Sequence, residues 1–155
     1  GTKGIMSPAV VFIPNHGKLL DINITIDITH SCVFDLELYL VSPLGSRLCL
    51  NYYTYSEFFR AADYRMTKFD DESRVPVSQR QPYFAGVYQP RGGQLSVFDG
   101  IDPYGNWRLE IYDNIIGDTG KLNYIKLEMT LNPEPATMTF LVVSLLQFGI
   151  FKQKK

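Results

Sequence analysis

Carboxylates are the residues of this sequence best placed to do chemistry. Asp70 and Asp71 are adjacent and flanked by Phe69 and Glu72, while Asp113 ends the alternating run Trp107, Leu109, Ile111, whose parity aims it at the interior. An inward carboxylate needs a partner, because an unpaired buried charge is expensive. The repulsion within Asp70-Asp71 is relieved most simply by a shared cation, and hard cations gather about six to eight oxygens from carboxylates, carbonyls and water. The expectation is one Ca²⁺ site with Asp70 or Asp71 and Asp113 as ligands, aided by Asp118 and Asp35. Asp35 has the opposite parity to Phe34 and Leu36, so strand logic turns it to solvent. The competing reading pairs Asp113 and Asp71 with arginine or uses them to cap turns.

Covalent chemistry has thinner support. There are two histidines, His16 in an entry turn and His30 at a strand end, and no G-x-S-x-G elbow, H-E-x-x-H helix or glycine-rich phosphate loop. Triads assemble in space, so the absence of a motif does not exclude one, but two turn or surface histidines are the plainer reading. The aromatic group Tyr52, Tyr53, Tyr55, Phe58, Phe59 and Tyr64 admits a glycan-stacking role beside a cation site, although such residues more often cover a sheet edge. Cys32 and Cys49 read as free thiols. A hairpin of 34–41 and 46–51 sets Cys49 opposite Leu38 and Cys32 opposite Tyr55, an offset of roughly 20 Å, beyond disulfide reach.

The elements that must carry these residues are strands. Leu20, Ile22, Ile24, Ile26 and Ile28 alternate with polar residues, and the same period returns at Phe34 to Leu40, Trp107 to Ile111 and Ile125 to Leu131. Turn chemistry separates them, as in Ser42-Pro43-Leu44-Gly45, Arg91-Gly92-Gly93 and Asp102-Pro103-Tyr104-Gly105. Residues 52–81 lack alternation and are too long for a plain hairpin loop, so they are expected to wrap a sheet edge or carry a site. Strands with one polar face close most economically as two packed antiparallel sheets. The expected fold is all-β, a jelly-roll-like antiparallel sandwich over 10–131, with Phe34, Leu36, Leu38, Trp107, Leu109, Ile111 and Leu127 buried. A chain of 155 residues with 45% apolar residues and a net charge of −1 has room for one such core and is not built to neutralise phosphates, so nucleic acid is excluded as a partner. The opening Gly1-Thr2-Lys3-Gly4 shows no secretory signal pattern.

Composition changes after Asn132. Pro133-Glu134-Pro135 breaks the last strand, 136–151 is mostly apolar, and Lys152, Lys154 and Lys155 end the chain. Residues 132–155 are therefore read as a separate tail whose apolar run is expected to be helical. As a helix that run is roughly 24 Å long, slightly short for a ~30 Å hydrocarbon core. A terminal element packed on the sandwich is the other reading.

Six segments in order carry a resemblance. Phe12-Ile13-Pro14-Asn15-His16-Gly17, Ile24-Thr25-Ile26, Asp35 to Gly45, Phe69-Asp70-Asp71-Glu72, Pro82 to Pro90, and the stretch from Phe98-Asp99-Gly100 through Gly105 to Asp113 with Asp118 to Leu122 resemble the P domain of subtilisin-like proprotein convertases. That resemblance implies a jelly-roll sandwich which usually follows a subtilisin-like protease and supports its folding, and which itself is not catalytic. No protease domain precedes it here, so an endopeptidase label would belong to an absent neighbour. Asn132-Pro133-Glu134-Pro135, the apolar run and the lysines resemble the PEP-CTERM sorting signal read by exosortase systems, which implies an exported bacterial protein directed to the cell surface or extracellular matrix, with transient or anchoring membrane contact. The functional expectation is an exported interaction or stabilising module. Its alternatives are a carbohydrate-binding module for exopolysaccharide and the accessory domain of a serine endopeptidase.

Overall fold

The computed structural model describes residues 4–5, 7–52, 62–79, 84–115, 117, 119–132, 139–145 and 149–150. Two sheets form a β-sandwich. In the first, β8 (Gly105–Asp113) pairs on one side with β1 (Gly4–Ile5) and β2 (Ala9–Ile13) and on the other with β4 (Leu36–Val41), which carries β5 (Arg47–Asn51) at its edge. In the second, β3 (Lys18–His30) lies between β9 (Gly120–Asn132) and β6 (Tyr64–Phe69). Beyond β6 comes β7 (Val87–Tyr88), which runs parallel to it, and beyond β9 come β10 (Thr139–Leu145) and β11 (Gly149–Ile150).

Alternation decides which side chains meet between the sheets. Leu36, Leu38 and Leu40 of β4, Trp107, Leu109 and Ile111 of β8, Ile22, Ile24, Ile26 and Ile28 of β3 and Ile125, Leu127, Met129 and Leu131 of β9 all turn inward and are buried. Trp107 is fully enclosed, with the edge of Phe98 at 5.2 Å between ring centroids and its indole N–H donated to the Pro103 carbonyl at 2.9 Å. Burial of this ring removes its large apolar surface from water while the polar N–H keeps a partner.

Three local departures from strict alternation change which residues face the core. A bulge between Leu19 and Asp21 reverses the parity at the start of β3, so Leu19 is buried and Leu20 is exposed, where unbroken alternation would bury Leu20. Residues 33–35 form a 3₁₀ turn instead of the first residues of a strand. That turn rotates Val33 and Asp35 into the protein and leaves Phe34 only half-buried against the core, contrary to the expectation for both Phe34 and Asp35. Finally, Cys49 faces Tyr39, not Leu38, because the hairpin loop spans 42–46, one residue longer than the turn Ser42 to Gly45, and the bulge between Leu38 and Tyr39 comes only beyond that pair. Neither cysteine is in a disulfide all the same.

The passage from 52 to 81 supplies β6, an inner strand paired with β3 on one side and β7 on the other. The tail departs further from expectation. Thr139–Leu145 is a strand antiparallel to β9, running from Thr139 opposite Leu131 to Leu145 opposite Ile125, whereas a helix was expected there. Its segment is rich in β-branched and aromatic residues, which suit a pleated strand. The backbone groups of β9 on the side away from β3 also offer a ready pairing template.

Candidate functional site

The carboxylates singled out by the sequence divide between two ends of the sandwich. At one end Asp113, the last residue of β8, is buried beside His30, the last residue of β3. His30 Nε2 stands 3.4 Å from Asp113 Oδ2, and Asp113 Oδ1 accepts the Ile115 N–H at 3.1 Å. His30 Nδ1 lies 2.7 Å from the Cys32 carbonyl oxygen and 3.1 Å from the Cys32 nitrogen. Cys32 thus offers that ring nitrogen both an acceptor and a donor, so the tautomer sets its role, and a ring protonated at both nitrogens donates to the Cys32 carbonyl and to the Asp113 carboxylate together. The Asp63 carboxylate accepts the His30 backbone N–H at 3.0 Å, with Asp63 held at φ +67°. The Asp35 carbonyl accepts both the backbone and side-chain N–H of Asn114, at 2.9 and 3.0 Å. Asp113, Asp35 and His30 are therefore brought together, as a pin between the two sheets. Asp118 lies outside the described residues.

Asp70 and Asp71 lie elsewhere. Phe69 is opposite Ile24, so Asp70 leaves β6 at the Asn23 end of β3. Asn23 is seven residues from His30, roughly 23 Å at strand rise. A cation held jointly by Asp113 and the Asp70-Asp71 pair does not fit this geometry. Parity placed Asp113 correctly on the inner face, but it carries no information on which end of a long strand another loop will reach. Asp71 is also spent: its two oxygens accept the N–H groups of Leu95 at 2.8 Å and Ser96 at 2.9 Å, which caps the 3₁₀ turn Leu95–Phe98. Among the described residues, no three His, Cys, Asp or Glu side chains are disposed to hold a metal ion.

Around Asp70 a second constellation forms that no sequence motif announces. Asp70 accepts the Glu72 N–H at 2.9 Å and meets the Lys68 ammonium at 2.7 Å. Asp21 comes from β3 and Asp99 from the end of the 95–98 turn, which is tied to β3 by Gly100 N–H to Leu19 O at 2.8 Å and Leu19 N–H to Ile101 O at 2.9 Å. Burial, then the Asp70 charge, pushes the Asp21 carboxyl above the ordinary aspartate value, and burial followed by Asp21 and Asp71 does the same to Asp99. Glu72 is raised chiefly by contact with the Asp70 carboxyl. Asp70 goes the other way: burial alone would raise it, but contacts from Glu72 and Lys68 outweigh that and lower it. In the middle, Asn23 donates to Asp21 Oδ2 at 3.1 Å, while its own amide oxygen is buried with no hydrogen-bond donor. The available signal was the polar row Asp21, Asn23, Thr25, Asp27 on the outer face of β3. What could not be read is that loops far along the chain, at 70–72 and 99, bring further carboxylates to one end of that row.

The two histidines differ in exposure. His30 is closed off from solvent, and exposed His16 has Nδ1 at 2.7 Å from Asp102 Oδ2 with its ring stacked at 4.1 Å on Tyr104. Of the aromatic group, Tyr64 is buried and its hydroxyl accepts from Asn51 at 2.8 Å, whereas Tyr52 is exposed with the Arg91 guanidinium 3.8 Å over its ring. Tyr53, Tyr55, Phe58 and Phe59 lie outside the described residues, as do Pro133, Glu134, Pro135, Lys152, Lys154 and Lys155 of the tail. Among the described residues, no helix is long and apolar enough to cross a membrane.

Comparison with known proteins points to one family. Residues 19–129 match the family model described as Proprotein convertase P-domain. Two similar solved structures are the crystal structure of a serine protease of Aeromonas sobria, 20% identical with a TM-score of 0.45, and that of the Aeromonas sobria serine protease in complex with the chaperone ORF2, 20% identical with a TM-score of 0.44. Each alignment covers 96% of this chain and 23% of the other, so the chain spans about a quarter of the length of those proteins. No curated protein sequence matches.

Proposed function

The chain belongs to the proprotein convertase P-domain family, and from that premise we propose that it is a non-catalytic interaction and stabilising module, an accessory to a subtilisin-like serine protease. The observation that carries this reading is the extent of the family match, which runs from Leu19 in β3 to Met129 in β9 and so takes in both sheets. The chemistry of the titratable groups supports it. His30 and Asp113 sit where a substrate cannot reach them, and Asp71 holds backbone together. Such groups stabilise a surface and leave the hydrolytic groups to a neighbour.

The tail adds an address. Pro133-Glu134-Pro135, the apolar run and the terminal lysines support export and sorting by exosortase-type machinery to the bacterial surface or matrix, with membrane contact made by 136–151. Pairing of β10 with β9 is compatible with this if the tail leaves the sheet when it is handed over.

Supplying the purified chain in trans to the subtilisin-like protease of its own genome, refolded without its P domain, tests the accessory role. Recovery of protease activity is expected, with no hydrolysis of fluorogenic peptides by the chain alone. Intrinsic hydrolysis abolished by His16→Ala would replace the accessory reading with an enzymatic one. For the tail, truncation after Asn132 should move the protein from the cell surface to the soluble exported fraction, and unchanged surface display would remove the sorting role.

A further inference from the structure

At the end of the sandwich where β9 stops, two turns and a strand end present apolar side chains to solvent. Phe12 of β2 is 48% exposed, Tyr104 46% and Leu44 73%. They form one surface. The Phe12 and Tyr104 rings meet edge to face at 5.6 Å, His16 stacks on Tyr104 at 4.1 Å, and the turns 42–45 and 102–105 touch, since a Cβ on Gly105 would fall 3.0 Å from the Pro43 Cβ. Single exposed leucines are ordinary, but a contiguous cluster marks a contact surface. Asp102 holds it in shape, with Oδ2 at 2.7 Å from His16 Nδ1 and Oδ1 accepting the Tyr104 N–H at 3.1 Å. The second observation is where the tail begins. Asn132, the last residue of β9, pairs with Lys18, and its carbonyl oxygen lies 3.2 Å from a Cβ placed on Gly17, the neighbour of His16. β10 starts at Thr139, opposite Leu131. The apolar run of the tail is therefore tethered beside Phe12, Tyr104 and Leu44 whenever it leaves β9.

We propose that this end of the sandwich is a lipid-binding surface, on which Leu44, Phe12 and Tyr104 enter the headgroup and upper acyl region of a bilayer. The inference rests on the reading of the tail as membrane-directed and adds a second contact, made by the β domain itself. A bilayer suits these tips better than a folded partner does. Leu44 stands clear of the body of the protein, since a Cβ on the adjoining Gly45 would meet nothing within 4 Å. A folded partner would need a complementary pocket for each tip, whereas a lipid layer closes around any of them. Tyr104 suits the boundary as well, having an apolar ring and a hydroxyl that can remain in the hydrated headgroups. Exposed charges of both signs surround the cluster, Lys18 and Arg108 with Asp99 and Asp102. Apolar burial therefore drives the contact, and its dependence on salt and on anionic lipid is weak.

Flotation of the full chain with vesicles of phosphatidylethanolamine and phosphatidylglycerol, at low and high salt, tests this. Saturable binding that changes little with salt is expected, weakened by about tenfold in Leu44→Ser/Tyr104→Ser. The double variant should keep the parent melting temperature, because both positions are exposed. Met66→Ser, at a comparably exposed position on the other sheet, should bind like the parent. In Leu44→Trp, vesicles should shift the added emission to the blue and brominated acyl chains should quench it, against a constant signal from the enclosed Trp107. Absence of vesicle binding, or an indole at position 44 that brominated lipid does not quench, would overturn the proposal. Parent-like binding by the double variant would overturn it too, leaving the tail as the membrane contact. Loss of protease recovery in the double variant with vesicle binding intact would replace the lipid surface with a protease contact. The tail is read by surface display after truncation and the tips by substitutions in the full chain, so either can fail alone.

Discussion

His30 and Asp113 show how much depends on a single pair. Each would be costly to bury alone, and each lies on the last residue of a strand from a different sheet, so their contact ties the sheets together. Asp113→Ala removes the carboxylate partner of a buried imidazole and is expected to cost about 3 kcal/mol in urea unfolding, as for other broken buried pairs. At the other end the effect has the opposite sign. Asp21 and Asp99 titrate above the ordinary aspartate value in the folded protein, so between the unfolded and folded values the native state binds more protons than the unfolded chain. Stability from these groups must rise as pH falls through that window and decline as pH rises through it. Asp70 and Asp102 are lowered, so the stability they contribute is present above the ordinary value and is lost at still lower pH. Asp21→Asn should therefore raise the melting temperature near neutrality and flatten the gain seen on mild acidification. An unchanged pH profile would show that Asp21 is more fully hydrated than its surroundings indicate.

Strands and their edges set the next scale. The edge strand β5 is covered by the turn at 91–92, where Arg91 N–H reaches Leu50 O at 3.0 Å and Gly92 N–H reaches Cys49 O at 3.1 Å. A Cβ on Gly92 would fall 2.5 Å from the Cys49 Cβ and 2.9 Å from its carbonyl oxygen, distances that backbone must move to relieve. Gly92→Ala is thus expected to destabilise by about 1–3 kcal/mol, measured by thermal or urea unfolding. On the other sheet β10 covers β9 along seven paired positions. Removal of residues after 132 would uncover a long run of backbone donors and acceptors on β9. A fall of roughly 5 °C or more in melting temperature, together with concentration-dependent self-association by light scattering, is expected. A truncated protein that stays monomeric with an unchanged melting temperature would mean that β10 contributes little to the sheet.

At the scale of the whole molecule, the pairings that build the sandwich join distant parts of the chain: β2 with β8, and β3 with β9. Loop closure must precede most of the stabilising contacts, so stopped-flow refolding should fall in the millisecond-to-second range typical of all-β domains. The residues themselves were enough to establish that the chain is all-β and which positions face the core, because alternation of apolar and polar side chains is a local property of a half-buried strand and survives in Trp107, Leu109, Ile111 and Ile125 to Leu131 without knowledge of any neighbour. They were also enough for the family, whose segments recur in order along the chain. Alternation failed at Leu20, Phe34 and Asp35, where a bulge or a 3₁₀ turn inserts a residue and reverses the faces, and nothing in the side-chain types announces that insertion. Tertiary structure alone decided that Asp113 meets His30 while Asp70 meets Asp21, Glu72 and Lys68 at the opposite end. Parity says which face a carboxylate occupies, but the distance between two carboxylates depends on strand order and register, which are fixed only when the long-range pairings close.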